Sequence, residues 1–181
     1  MPCYDEGRGV KCMKIAIYYD SVTGNTEQLA EALRFHLRGE NAFLIQENVD
    51  ALADCDVVFA GSWTDKGDCS EPAARFLEKL EGKNVFLFGT CGYGCSQDYF
   101  DTVLRRFSGH LQPGNRLIGS FLCQGRMPVT VVRRYEAMLE ANPDSSRWEA
   151  CIANYNQALS HPNADDLRML CDAADQALAL I

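Results

Sequence analysis

Ser21-Val22-Thr23-Gly24-Asn25-Thr26 gathers hydrogen-bond donors in a way that suits one chemistry, the holding of a phosphate. The segment follows the apolar run Ile15–Tyr19 and opens an amphipathic stretch carrying Leu29, Ala30, Ala32, Leu33 and Leu37. A strand, a tight turn and a helix are therefore encoded back to back. Backbone N–H groups and the positive end of a helix dipole then converge on one spot. Hydroxyls from Ser21, Thr23 and Thr26, with the Asn25 amide, add side-chain donors. There is no Gly-Lys-Ser or Gly-Lys-Thr and no G-x-G-x-x-G, which excludes a Walker loop and the dinucleotide fingerprint. What remains is a monophosphate held by neutral donors, each charge-assisted bond worth roughly 1.5–3 kcal/mol.

Two further segments carry exposed-type aromatics among small residues. Gly89-Thr90-Cys91-Gly92-Tyr93-Gly94-Cys95 sets Tyr93 between two glycines, and Gly61-Ser62-Trp63-Thr64-Asp65-Lys66-Gly67-Asp68 carries Trp63. A flat ligand stacked on Tyr93, or between Tyr93 and Trp63, explains this placement. The nine cysteines are odd in number, irregularly spaced and without a C-x-x-C, so reduced thiols are expected rather than a disulfide framework or a zinc site. His36, His110 and His161 show no metal-ligand spacing and read as surface residues. Nothing resembles a Ser/His/Asp triad.

The elements that must position these residues alternate. Strands are expected at Ile15–Tyr19, Phe43–Ile45, Val57–Ala60, Val85–Phe88 and Leu117–Leu122, with helices at Thr26–Leu37 (ending at Gly39), Glu71–Leu80 and Asp98–Phe107. Near-continuous apolar strands separated by helices mean a parallel sheet buried on both faces. Five such units predict a doubly wound α/β fold with strand order 2-1-3-4-5. Ligands of such sheets bind beyond the strand carboxyl ends, which brings loops 20–27, 61–70 and 89–99 together. Val129–Leu139, Arg147–Leu159 and Asp165–Leu180 also read as helices, with Asn163 capping the last and Asp166 three residues on. The first of these completes the fifth unit. The expected organisation is a loose extension over 1–12, a domain over 13–141 and a helical extension over 142–181 packed on it.

At 181 residues, 47% apolar and 23% charged, the chain is of globular composition. No apolar run reaches the roughly 18 residues of a membrane span, and the N-terminus lacks the order of a signal peptide. A cytoplasmic protein without membrane insertion is expected. The net charge of −8 argues against nucleic acid and suits either docking on a basic partner or simple solubility.

These residues resemble the flavodoxins, FMN-binding electron carriers, over residues 13–127. Ser-x-Thr-Gly-Asn-Thr is similar to that family's FMN phosphate loop. The Tyr93 loop resembles the clostridial type, with Tyr93 where a flavin-stacking tryptophan stands and Cys95 where an acidic residue is usual. The resemblance implies a flavodoxin-like fold and an FMN site made of Ser21, Val22, Thr23, Gly24, Asn25, Thr26, Ser62, Trp63, Thr64, Gly67, Thr90, Gly92, Tyr93 and Gly94, with no metal. It also implies electron transfer between a reductase and a partner oxidoreductase. Gly67 is a candidate hinge whose peptide can turn toward the reduced ring. Asp65, Asp68, Glu71 and Asp98 are expected to oppose negative charge on that ring, with Lys66 offsetting part. One charge at about 8 Å and an effective dielectric near 20 costs about 2 kcal/mol. Alternatives on the same fold are an NAD(P)H-dependent FMN or quinone reductase, for which no nucleotide motif is present, and a weakly flavin-binding accessory protein. Gly61–Gly67, Phe88-Gly89-Thr90, Gly119–Gly125 and His161–Asp166 resemble a bacterial flavodoxin-like group, one member of which is encoded beside bilirubin reductase in gut anaerobes.

Overall fold

A computed structural model describes residues 13–38, 42–45, 52–94 and 96–181. The expected extension over 1–12, Gly39 and Cys95 lie outside them. The apolar runs become β1 (Ile15–Asp20), β2 (Phe43–Ile45), β3 (Val57–Asp65), β5 (Asn84–Cys91) and β6 (Arg116–Gln124), all parallel and ordered β2-β1-β3-β5-β6. Counting these five alone, this is the 2-1-3-4-5 order read from the sequence. The short β4 (Asp68–Cys69) pairs antiparallel with the end of β3.

Parallel strands without polar faces must be covered on both sides. α2 (Glu71–Glu78) and α3 (Gln97–Ser108) cover one face, where Phe76, Leu77, Val103 and Phe107 pack on Val58, Val85 and Leu87. There the rings of Tyr18 and Phe76 stack 3.8 Å apart. α1 (Asn25–His36) covers the other face together with α6 (Ala164–Leu178), around Ile15, Ile17, Phe59, Phe86 and Phe88. Burying such side chains contributes roughly 1.5–3 kcal/mol each.

The helix seated against β6 is thus α6, not the 129–141 segment that the sequence reading places in the fifth unit. Leu167, Leu170, Ala174, Ala177 and Leu178 form its apolar stripe. The capping box that starts it is complete: Asn163 Oδ1 accepts from the Asp166 N–H, and Asp166 Oδ2 accepts from the Asn163 N–H. α4 (Val129–Ala141) buries only Val132 fully and packs mainly on α5 (Ser146–Ala158), with Tyr135 and Trp148 rings 6.1 Å apart. Periodicity marks a helix as apolar on one side but does not say which helix wins the sheet.

The parallel register lines up Asp20 with Ser62, Trp63 with Thr90 and Cys91 with Gln124. The segments after β1, β3, β5 and β6 therefore leave the sheet along one edge.

Candidate functional site

At that edge the turn after β1 is held open by geometry. Gly24 has φ +79°, a left-handed conformation that glycine adopts without strain, and no side chain caps the first turn of α1. Ser21 Oγ is buried without a hydrogen-bond partner. This turn therefore leaves a buried hydroxyl and the first N–H groups of α1 without side-chain partners among the described residues. Two of the other side chains expected as donors, Asn25 and Thr26, are committed elsewhere. The Asn25 amide nitrogen donates to Thr23 Oγ1 and to the Arg126 carbonyl, both at 2.8 Å, leaving its buried Oδ1 without a partner. Thr26, fully buried, shares a 3.0 Å hydroxyl contact with Thr90. Asn25 and Thr26 thus tie the turn to its neighbours.

The segment after β3 is a hairpin. Thr64 pairs with Cys69 and Asp65 with Asp68, around Lys66 (φ 50°) and Gly67 (φ 84°). Positive φ at both central residues is the signature of a type I′ turn, which matches strand twist. The Gly67 carbonyl accepts from Arg106 Nη1 at 3.1 Å. His110 stands between Asp68 (3.3 Å) and Glu78 (3.5 Å), tying the hairpin to α2 rather than lying loose on the surface. Asp68, Cys69 and His110 are the one group among the described residues close enough to share a metal ion. Burial and Asp68 push the Cys69 thiol up to about 12, which keeps it protonated in the absence of such an ion. Ser62 faces inward, where its hydroxyl bonds Ser70, the cap of α2. Trp63 donates its Nε1 proton to Asp20 at 2.9 Å, which fixes the indole.

The Tyr93 loop is held from a distance. Asn154 of α5 donates to the Gly92 carbonyl at 2.9 Å and accepts from the Gly94 N–H at 3.0 Å, gripping both sides of Tyr93. Gln124 steadies Asn154 Oδ1 at 3.2 Å. Cys91 Sγ donates to the Tyr93 carbonyl, and burial raises its thiol pKa, so this proton stays in place. Tyr93 itself is half exposed.

Together these segments enclose a cavity of about 650 Å³. Of the residues expected from sequence, Val22, Thr23, Asn25, Trp63, Thr64, Gly67, Thr90, Gly92 and Tyr93 line it, whereas Ser21, Gly24, Thr26, Ser62 and Gly94 do not, and Ser21 lines a separate cleft with Tyr19, Asp20 and Glu27. A fourth wall has no counterpart in the sequence reading: Arg126, Met127, Pro128, Val131, Arg134 and Tyr135, from the end of β6 and α4. Its position after a fifth parallel strand was the available signal. The electrostatics also differ from expectation. Among the described residues, Asp65 is the one carboxylate on the lining, against Lys66, Arg106, Arg126 and Arg134. Asp68 of the β3–β4 hairpin and Glu71 at the start of α2 are off the lining, where they meet His110 and Arg75, and Asp98 is exposed on α3. The walls favour negative charge rather than opposing it.

A parallel sheet of this order, covered by helices on both faces and with an uncapped helix start and aromatic side chains meeting at its carboxyl edge, defines a flavodoxin-type fold. Residues 16–175 match the family model of the flavodoxin domain, and the chain belongs to that family, whose cofactor is FMN. It is similar to the flavodoxin-like domain-containing protein BilS of Clostridium symbiosum (strain WAL-14163), 36% identical over 174 residues, covering 86% of this chain and 90% of that one. It is also similar to the BilS of Clostridioides difficile (strain CD3), 30% identical over 159 residues with the same coverage, 86% and 90%. Among solved structures, a short-chain flavodoxin associated with a non-canonical PDU bacterial microcompartment shares the fold, with a TM-score of 0.58 at 16% identity over 94% of this chain and 99% of that one. No helix among the described residues is long and apolar enough to cross a membrane.

Proposed function

We propose that this protein is an FMN-binding electron carrier that passes electrons between a reductase and a partner oxidoreductase in the cytoplasm. The observation that carries the reading is the cavity itself, with Val22, Thr23 and Asn25 of the turn that opens the uncapped α1 on its lining together with Trp63 and Tyr93, and the orphaned Ser21 hydroxyl in the same turn. The donor set fits a flavin phosphate: Ser21 Oγ and the N–H groups that open α1 hold it without a lysine. Asn25 and Thr26 keep those donors in place through Arg126 and Thr90. Tyr93 and Trp63 offer aromatic faces to the ring, and Asn154 and Asp20 hold them. Bound FMN supplies the redox chemistry, accepting and releasing electrons at its ring. The cations on the lining stabilise negative charge there, each by about 2 kcal/mol at about 8 Å and an effective dielectric near 20. Gly67, in a turn that tolerates positive φ, offers a carbonyl that Arg106 now engages.

The purified protein is expected to be yellow, or to bind added FMN with quenching of flavin fluorescence. A colourless protein that leaves FMN fluorescence unchanged overturns the reading. A second reading, an accessory protein for a reductase, is favoured by the two BilS relatives and by the resemblance to the group encoded beside bilirubin reductase. It predicts stimulation of such a reductase by a chain that holds no flavin.

A further inference from the structure

Among the described residues, the mouth of the cavity carries more positive than negative charge. Lys66, Arg126 and Arg134, all exposed, line it with Arg106, against Asp65 as the one carboxylate among the described lining residues. This occurs in a chain of net charge −8, where carboxylates are abundant. Cations gathered on one edge of an acidic protein create a local field opposite in sign to the whole. Exposed apolar side chains share the edge: Val22 is 70% exposed, Tyr93 49%, and Val129, between the lining residues Pro128 and Val131, 51%. Arginine and tyrosine beside solvent-facing apolar groups is the composition of a protein interface, not of a small-anion pocket.

We propose that this mouth is a docking face for the acidic surface of a redox protein. The inference rests on the reading that FMN fills the cavity. Electrons then enter and leave where Lys66, Arg126 and Arg134 meet the partner. Charge complementarity selects the occupant, since a basic partner meets like charge at the one place where transfer is short. Composition alone suits either docking on a basic partner or simple solubility; where the charges sit favours an acidic partner instead.

The test uses the FMN-loaded chain and an acidic plant-type [2Fe–2S] ferredoxin as electron donor. Each reduced cluster gives up one electron, so two ferredoxins and two protons from solvent convert one FMN to its fully reduced form. Both proteins carry net negative charge, so net repulsion makes the rate rise with added salt. The local field makes it fall, by about tenfold between low salt and 0.3 M, because the Debye length shrinks from about 30 Å at 0.01 M to under 10 Å. Arg134→Gln and Lys66→Gln each lower the low-salt rate about threefold and flatten the salt dependence. A rate that rises with salt and ignores both substitutions overturns the proposal. So does a falling salt dependence seen with ferricyanide oxidising the reduced flavin, one electron per ferricyanide, but absent with ferredoxin, since the mouth then takes small anions. The absorption spectrum recorded beforehand shows whether FMN is held. If it is not, labelled ferredoxin binding to the flavin-free chain at low salt, and weaker binding to Arg134→Gln, still decides for or against the face.

Discussion

Replacing Asn154 by alanine removes three hydrogen bonds from one point, to the Gly92 carbonyl, the Gly94 N–H and the Gln124 amide. Net hydrogen bonds contribute about 1 kcal/mol each, and a part-buried N–H left without a partner costs more. The loss is therefore about 2–3 kcal/mol, and it falls on the loop that carries Tyr93 rather than on the sheet. If the loop must be ordered before FMN can stack on it, apparent affinity falls with the fraction of ordered loop. That corresponds to a rise in Kd of about 30- to 150-fold. The assay is titration of flavin-free protein with FMN, followed by quenching of flavin fluorescence, alongside thermal unfolding without FMN. Asn154→Asp keeps the oxygen that accepts from Gly94 and loses the donor to Gly92, so its Kd falls between the two. A Kd within twofold of the parent, with unfolding temperature lowered by several degrees, refutes the reasoning: Asn154 then supports the fold and Tyr93 is not at the ring.

Ser21→Ala removes the orphaned hydroxyl and leaves the flavin-free fold unharmed; FMN Kd rises about 10- to 100-fold, the worth of one charge-assisted bond, and an unchanged Kd places the phosphate elsewhere. Gly67→Ala forces a side chain into φ 84° and sets its Cβ 2.7 Å from Arg106 Nη1, which yields by moving; the backbone strain of about 1–2 kcal/mol appears as a lower unfolding temperature. Burial holds the Cys69 proton to about 12, while the unfolded thiol releases it near 9.0. Its contribution to stability is complete below pH 9 and is lost as pH rises toward 12, so the parent loses unfolding temperature faster than Cys69→Ala between pH 8.5 and 10.5. Equal slopes in the two proteins remove the claim.

The sequence alone was enough for the turn at 21–26, the five parallel strands and their order. Each depends on neighbours in the chain: apolar runs of strand length, a glycine where the backbone turns left-handed, a helix stripe that starts directly after. Tyr93 and Trp63 were legible for the same reason, since a large aromatic among glycines stands out locally. Asn154 was not, because it grips Tyr93 across sixty-odd residues of chain and sits in a helix with no distinguishing pattern. Arg126 meets Asn25 across a separation of 101 residues, and only the closing of the sheet brings them together. Folding also decided that α6 rather than α4 lies on β6, since several apolar helices compete for one sheet face and packing selects among them. The sign of the site's field was the last to be fixed. Composition reports a chain of −8, but a field is set by distance, and the fold turns Asp68 and Glu71 away while it brings Arg126 and Arg134 to the cavity.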